Sequence, residues 1–286
     1  MEEREEIGLV KFLLRVLGVL LLAVALGAGA LYYAFRIEPG MLVTREYDLA
    51  GEGDAWKVVQ LSDLELSPSY DTTQLDRLVE EVNRQQPDLL VFTGDLFHNY
   101  AQYAPVDAVT DALSRMEAPA KLAVWGNRDY GGGAQWVYPQ VMEAAGFTLL
   151  CNSGVTLDAG GQTVYIAGLD DGLLGAPDPQ SALEGRPADA SYTILLFHEP
   201  DLAAHAEGQG VDLMLAGHTH GGQVRLPFVE PVTTSLGERY IRGLYPLADG
   251  GQLYVHSGLG TSRLPVRFLV PPQVAVFRVG AGGANS

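Results

Sequence analysis

Residues 58 to 67 read "VVQLSDLELS": four mostly apolar residues, a serine, and then Asp63 and Glu65 two positions apart. An apolar run of strand length reads as a buried strand, and one that ends in two carboxylates delivers them to the rim of a sheet. The same arrangement recurs along the chain. "LLVFT" (89 to 93) runs into Gly94 and Asp95, "LAVW" (122 to 125) into "GNRD" (126 to 129), "ILLF" (194 to 197) into His198, and "LMLA" (213 to 216) into "GHTHGG" (217 to 222). In an α/β sheet the ligand site lies just beyond the carboxyl ends of the strands. Asp63, Glu65, Asp95, Asn127, His198, His218 and His220 are therefore expected on one rim.

Working outward, strands are expected near 57 to 61, 89 to 93, 121 to 125, 163 to 168, 193 to 197, 212 to 216, 252 to 257 and 273 to 278. Between them lie helical patterns such as "TTQLDRLVEEVNRQ" (72 to 85), which places Leu75, Leu78, Val79 and Val82 on one face. Strands alternating with helices give an α/β fold with largely parallel, helix-covered sheets. Residues 1 to 36 read as a tail and anchor. Residues 37 to 55, with Pro39, Gly40, Gly51 and Gly53, read as a linker, 56 to 279 as the main domain, and 280 to 286 as a flexible Gly-rich tail.

The anchor rests on the twenty uncharged residues from Val16 to Phe35. At helical rise they cover ~30 Å, the thickness of a bilayer core. Tyr32 and Tyr33 stand where an interfacial aromatic belt belongs. A cleaved signal peptide is the alternative, since "ALGAGA" (25 to 30) offers small residues, but the run exceeds the roughly 7 to 15 apolar residues of a signal peptide. Arg4, Lys11 and Arg15 before the run outweigh Arg36 and Arg45 after it, which favours a single-pass protein of the cell membrane with its domain outside the cytoplasm. A net charge of −17 offers no basic patch for nucleic acid. The lone Cys151 excludes an internal disulfide and a cysteine-rich metal site.

Carboxylates, one amide and imidazoles, without a thiolate, suit two divalent ions (Mn, Fe, Zn or Mg, with Mn favoured). Taken singly, each residue has a plainer reading: loop carboxylates for Asp63 and Glu65, a turn or cap for Asp95 and Asn127, a helix cap for His198, core or surface imidazoles for His218 and His220. Their coincidence at successive strand ends is what favours a metal centre. His98 and His205 lack that placement and read as structural, and His256 in "YVHSGLGTS" is left open. Arg225, Arg263 and Arg267 read as surface residues first and phosphate contacts second.

The ordered motifs D-x-(H/E), GD, GN-x-D, H and GH-x-H resemble those of the calcineurin-like metallophosphoesterase superfamily. The similarity is greatest to its membrane-associated bacterial members, which share "GHTHGGQVRLP" (217 to 227) and "GLGTSRLPVRF" (258 to 268). The resemblance implies a four-layer sandwich, two mixed β-sheets flanked by helices. It also implies that Asp63, the residue at 65, Asp95 and His220 hold one ion, while Asp95 bridges to a second held by Asn127, His198 and His218.

The chain departs from the family pattern twice, with Glu65 and Arg128 where histidine is usual. A GNRD motif is also usual in the family's UDP-diacylglucosamine hydrolases, which cut a pyrophosphate. Arg128 and Asp129 are the candidate catalytic residues, Asp129 either orienting Arg128 or capping a helix. The expected activity is a membrane-anchored phosphoesterase acting on a phosphorylated small molecule or lipid, with a pyrophosphate bond favoured because arginine does not readily protonate a leaving alkoxide. The alternative is a degenerate domain that binds a phosphate ligand or a protein without turnover.

Overall fold

The computed structural model describes residues 2–50 and 55–280. Its strands are β1 (Val43–Leu49), β2 (Trp56–Leu61), β3 (Leu89–Phe92), β4 (Ala120–Ala123), β5 (Thr148–Leu149), β6 (Ser153–Ala159), β7 (Gln162–Gly168), β8 (Tyr192–Leu196), β9 (Leu213–Ala216), β10 (Gly243–Pro246), β11 (Gln252–Val255) and β12 (Gln273–Val279). They form two six-stranded sheets, in the orders β1-β12-β2-β3-β4-β5 and β10-β11-β9-β8-β7-β6. Both are mixed. β2 to β5 run parallel, with β12 antiparallel to β2. In the second sheet β11, β9, β8 and β7 run parallel, flanked by antiparallel β10 and β6.

Successive strand residues point to opposite faces, so Val58 and Val59 enter different cores. Val58, Leu89 and Val91 pack between the sheets against Ile166, Ile194 and Leu215. Val59, Leu90 and Phe92 pack outward onto α2 (Thr72–Gln85), α3 (Val106–Ser114) and α5 (Tyr138–Ala144), while the short α4 (Asn127–Tyr130) follows β4. On the far side Ala167, Leu195 and Met214 meet α6 (Pro179–Glu184) and α7 (Ala203–Ala206). The result is the expected four-layer sandwich. Burial on both faces is why β3 and β9 are wholly apolar and β2 and β8 largely so.

α2 shows how local chemistry sets an element. Asp71 caps its start by accepting from Thr73 N, the predicted face of Leu75, Leu78, Val79 and Val82 is buried, and Gln86 closes it in a left-handed conformation (φ 50°) before Pro87. Removing the buried part of Leu78 by Leu78→Ala costs about 2–5 kcal/mol.

Four strands lie outside the eight expected from the sequence: β1, β5, β6 and β10. Residues 37 to 55 are not simply a linker, because Val43–Leu49 forms β1 and pairs in parallel with β12 along its whole length. The "AGGQ" turn at Gly160 and Gly161 reverses the chain between β6 and β7, a hairpin the strand count did not include. Residues 281–286, most of the expected tail, lie outside the described residues.

At the N-terminus α1 (Glu2–Tyr32) continues through a wide turn, Tyr33–Ile37, into a tight one, Glu38–Gly40. Residues Ile7–Gly40 are long and apolar enough to cross a membrane, and the apolar side chains from Ile7 to Tyr32 stand exposed. The foot of this helix is fastened to the domain. Arg267 N donates to Ala34 O (3.0 Å), and the buried Glu38 carboxylate accepts from the backbone N–H groups of Leu269 (2.8 Å) and Val270.

Candidate metal centre

Two bonds bring the carboxyl ends of the sheets together. Gln60 at the end of β2 donates to Ala216 O at the end of β9 (3.0 Å), and His198, just beyond β8, places Nδ1 2.6 Å from Thr93 O, just beyond β3. The Asp63 carboxylate then accepts from His218 N (3.0 Å). Gly217 has to be glycine here, since a Cβ would sit 1.9 Å from Ser62 Oγ and 2.6 Å from Asp63 Oδ2.

Five of the seven expected ligands adopt a left-handed backbone: Asp63 (φ 52°), Glu65 (40°), Asp95 (63°), His218 (72°) and His220 (50°). This conformation is uncommon outside glycine and persists only where surrounding bonds hold it, a pattern that concentrates at functional sites. The bonds are present: Asp63 N donates to Gly94 O (2.9 Å), Glu65 N to Asp95 O (3.0 Å), and Gly260 N to Asp63 O (2.7 Å).

Ligand atoms of Asp95, His198 and His218 lie within 4.8 Å of one another, all three residues buried. Both imidazoles are fixed with one nitrogen free. His198 donates Nδ1–H to Thr93 O and leaves Nε2, 3.3 Å from Asp95 Oδ2, without a hydrogen-bond partner. His218 donates Nε2–H to Ser235 O (3.0 Å), which frees Nδ1. Asn127 Oδ1 is likewise buried without a partner. Polar atoms left buried in this way are costly unless a bound group completes them, and a carbonyl-backed imidazole is the usual arrangement of a metal ligand. The residues fit a divalent ion.

A model of the calcineurin-like phosphoesterase family matches residues 57–222. The chain belongs to that family. This phosphoesterase is 40% identical over 275 residues to YkuE, an uncharacterised metallophosphoesterase of Bacillus subtilis (strain 168), covering 93% of this chain and 96% of the relative. It is 28% identical over 267 residues to the phosphodiesterase YaeI of Escherichia coli (strain K12), covering 90% and 94%. It is also 30% identical over 224 residues to a transmembrane protein with a metallophosphoesterase domain from Danio rerio, covering 74% and 50%. The family consists of metal-dependent phosphoester hydrolases built on a dimetal centre, and this phosphoesterase has a buried Asp and His cluster.

The other half of the phosphoesterase's site is arranged differently. His220 Nε2 lies 3.1 Å from Glu65 Oε1 and 3.5 Å from Asp63 Oδ1, a convergence that also suits a cation. Glu65 has further partners: His98 Nδ1 bonds Oε2, and Arg128 Nε lies 3.7 Å from Oε1. Burial alone raises the Glu65 pKa, but the bonds from His220 and His98 and the Arg128 charge outweigh it and hold the carboxyl well below its usual range. His198 and His220 move the opposite way. Burial lowers both, yet Asp95 and Asp63 raise His198 well above its usual value, and Asp63 and Glu65 raise His220. His218, buried and facing His198, falls to about 3. Together these directions describe a buried anionic cluster that favours positive charge.

The structure revises the readings of Arg267 and His98, narrows that of Asp129 and gives His256 its surroundings. Asp129 is fully buried and does not orient Arg128. Its carboxylate accepts from Asp95 N (2.8 Å), Leu96 N (2.9 Å) and Gly126 N (2.9 Å), which makes it a staple beneath the site and the cap of α4. Burial, and then the Asp95 charge, push it up to about 8. Arg267 is neither a surface residue nor a phosphate contact, being fully buried with its guanidinium on the carbonyls of Ser257, Gly260 and Val270. His98, read as structural, touches Glu65, and its only sequence signal was its position three residues after Asp95. His256 is buried and accepts from Gly258 N (2.9 Å). Arg128, beside Glu65, donates from one guanidinium nitrogen to Ser262 Oγ (3.1 Å).

Proposed function

We propose that this phosphoesterase is a membrane-anchored hydrolase with one ion held by Asp63, Glu65, Asp95 and His220 and a second by Asp95, Asn127, His198 and His218. The reading is carried by the buried, unpartnered Asn127 Oδ1 and His198 Nε2 beside Asp95. When bound, two divalent ions, Mn favoured, supply Lewis acidity toward a phosphoryl oxygen and a water acidified enough to attack phosphorus at neutral pH.

The chain's own residues supply the rest. Thr93 O and Ser235 O each accept one ring N–H, so that Nε2 of His198 and Nδ1 of His218 are the nitrogens that would face an ion. Asp129 keeps the backbone of Asp95 and Gly126 in place. Arg128 offers a permanent positive charge and further N–H donors to a phosphate, but no proton for a leaving group. The favoured substrate therefore has a leaving group that departs without protonation, such as the phosphate of a pyrophosphate-linked lipid or nucleotide. The length and apolarity of α1 support a membrane location, and the excess of Arg and Lys before it supports a domain outside the cytoplasm.

The test uses the full chain in detergent, with bound metals quantified and mono-, di- and pyrophosphate substrates offered with Mn. About two ions per chain and turnover led by the pyrophosphate are expected, and Asp95→Asn is expected to lose metal and at least ~100-fold in rate. Full metal content and rate in Asp95→Asn would remove the assignment. Turnover of alkyl diesters alone would remove the pyrophosphate preference.

A further inference from the structure

A groove of about 350 Å³ opens beside the site. Its inner end is His220 and Ser262, the latter holding Arg128, and its walls include Leu226, Val229, Val232 and Leu264. These four wall residues are half or more exposed, and neighbouring Phe228 is wholly so, held outward on a left-handed backbone (φ 65°). An apolar rim of this kind around a groove marks a surface that something apolar covers.

The covalent and hydrogen-bonded path from the groove leads to the foot of α1. Arg225 N donates to Phe268 O (2.9 Å), the ring of Phe268 meets Tyr33 edge-on at 6.1 Å, and Arg267 and Leu269 bond to Ala34 and Glu38. The segment that forms one wall is thus pinned to the end of the apolar helix. Charge points the same way. In a chain of net charge −17, Arg225 and Arg45 crowd Arg242 on this side of the domain, a collar suited to anionic headgroups.

Resting on the hydrolase reading above, we propose that the groove receives an acyl chain of a membrane lipid whose phosphate is the substrate, the chain entering from the bilayer and the phosphate lying toward Arg128. The wall residues are apolar because they meet hydrocarbon, and the polar inner end is where the headgroup stops.

The full chain is reconstituted in phosphatidylcholine nanodiscs and offered methyl, butyl and octyl p-nitrophenyl phosphodiesters with Mn. The leaving p-nitrophenolate needs no proton, which suits Arg128. Since each fully buried methylene is worth up to roughly fourfold, kcat/KM is expected to rise at least ~10-fold from methyl to octyl. Leu264→Asp and Val229→Asp are expected to bring that ratio to within about twofold of unity, and Leu264→Met to preserve it. A ratio near unity in the unmodified chain, or one that survives both aspartates and so reflects partition into the bilayer, overturns the proposal. A second readout needs no turnover: phosphatidic acid with a diazirine in its acyl chain is expected to label residues 224 to 236 or 262 to 269, and to do so less in the aspartate variants. Label confined to α1, or a cross-link between two copies of the chain, overturns it. If none of the three esters is hydrolysed, the hydrolase reading fails while the labelling still decides the groove.

Discussion

Arg128 Nε lies 3.7 Å from Glu65 Oε1, so the two positions where histidine is usual in the family meet in space. The extra negative charge of Glu65 beside Asp63 and Asp95 is offset by a positive charge that the family's histidine does not carry when neutral. Glu65→His and Arg128→His are therefore expected to be non-additive, with a coupling of about 0.5–3 kcal/mol in a double-mutant cycle on phosphatase rate. Additive effects would separate the two residues functionally.

Asp129 is expected to matter for stability. Asp129→Ala orphans three buried N–H groups and is expected to cost at least ~3 kcal/mol, seen in denaturant unfolding followed by tryptophan fluorescence. Asp129→Asn should lose less, because its carbonyl can take the place of Oδ2, which accepts two of the three bonds. Unchanged stability with lost turnover in the alanine variant would return Asp129 to the chemistry.

At the foot of α1, Glu38→Ala leaves Leu269 N and Val270 N without their carboxylate. A loss of ~2 kcal/mol from this clamp is expected to raise tryptic cleavage after the exposed Arg263 by about tenfold or more. Cleavage at the unmodified rate would show that the clamp contributes nothing to local order.

Cys151 gives a pH-dependent reading away from the site. Partial desolvation of this surface thiol, and then the Asp170 charge, push it up to about 11. Only the thiolate reacts, so alkylation by iodoacetamide at neutral pH is expected to be ~100-fold slower than for an unperturbed thiol, and to rise about tenfold per pH unit until near pH 11. A plateau below pH 9 would contradict this environment.

The elements legible in the sequence are those whose physics is local. β2, β3, β8 and β9 are apolar on both faces because both faces are covered, and α2 carries its face and its Asp71 cap in one continuous stretch. β1 was hidden because "VTREYDL" is half polar, as an edge strand is, and its partner β12 lies over two hundred residues on. The site divides in the same way. Strand ends named the seven polar residues, whereas the contacts of Asp129, His98 and Arg267 are long-range and leave no periodic trace. The left-handed backbones of Asp63, Glu65 and His220 follow from tertiary bonds that spacing does not encode.

The attachment of Ala34 and Glu38 to Arg267, Leu269 and Val270 also fixes where the folded unit begins. The small-residue stretch 25 to 30 lies before these contacts, so a peptidase acting there would release a domain that keeps them all. A version started at β1 would instead lose both, exposing the N–H groups of residues 267, 269 and 270 and loosening the segment through which buried Arg267 braces the loop around Gly258 and Gly260, against Asp63 and His220. Removal of the apolar helix and integrity of the site are thus separable at one end of a short stretch of chain and inseparable at the other.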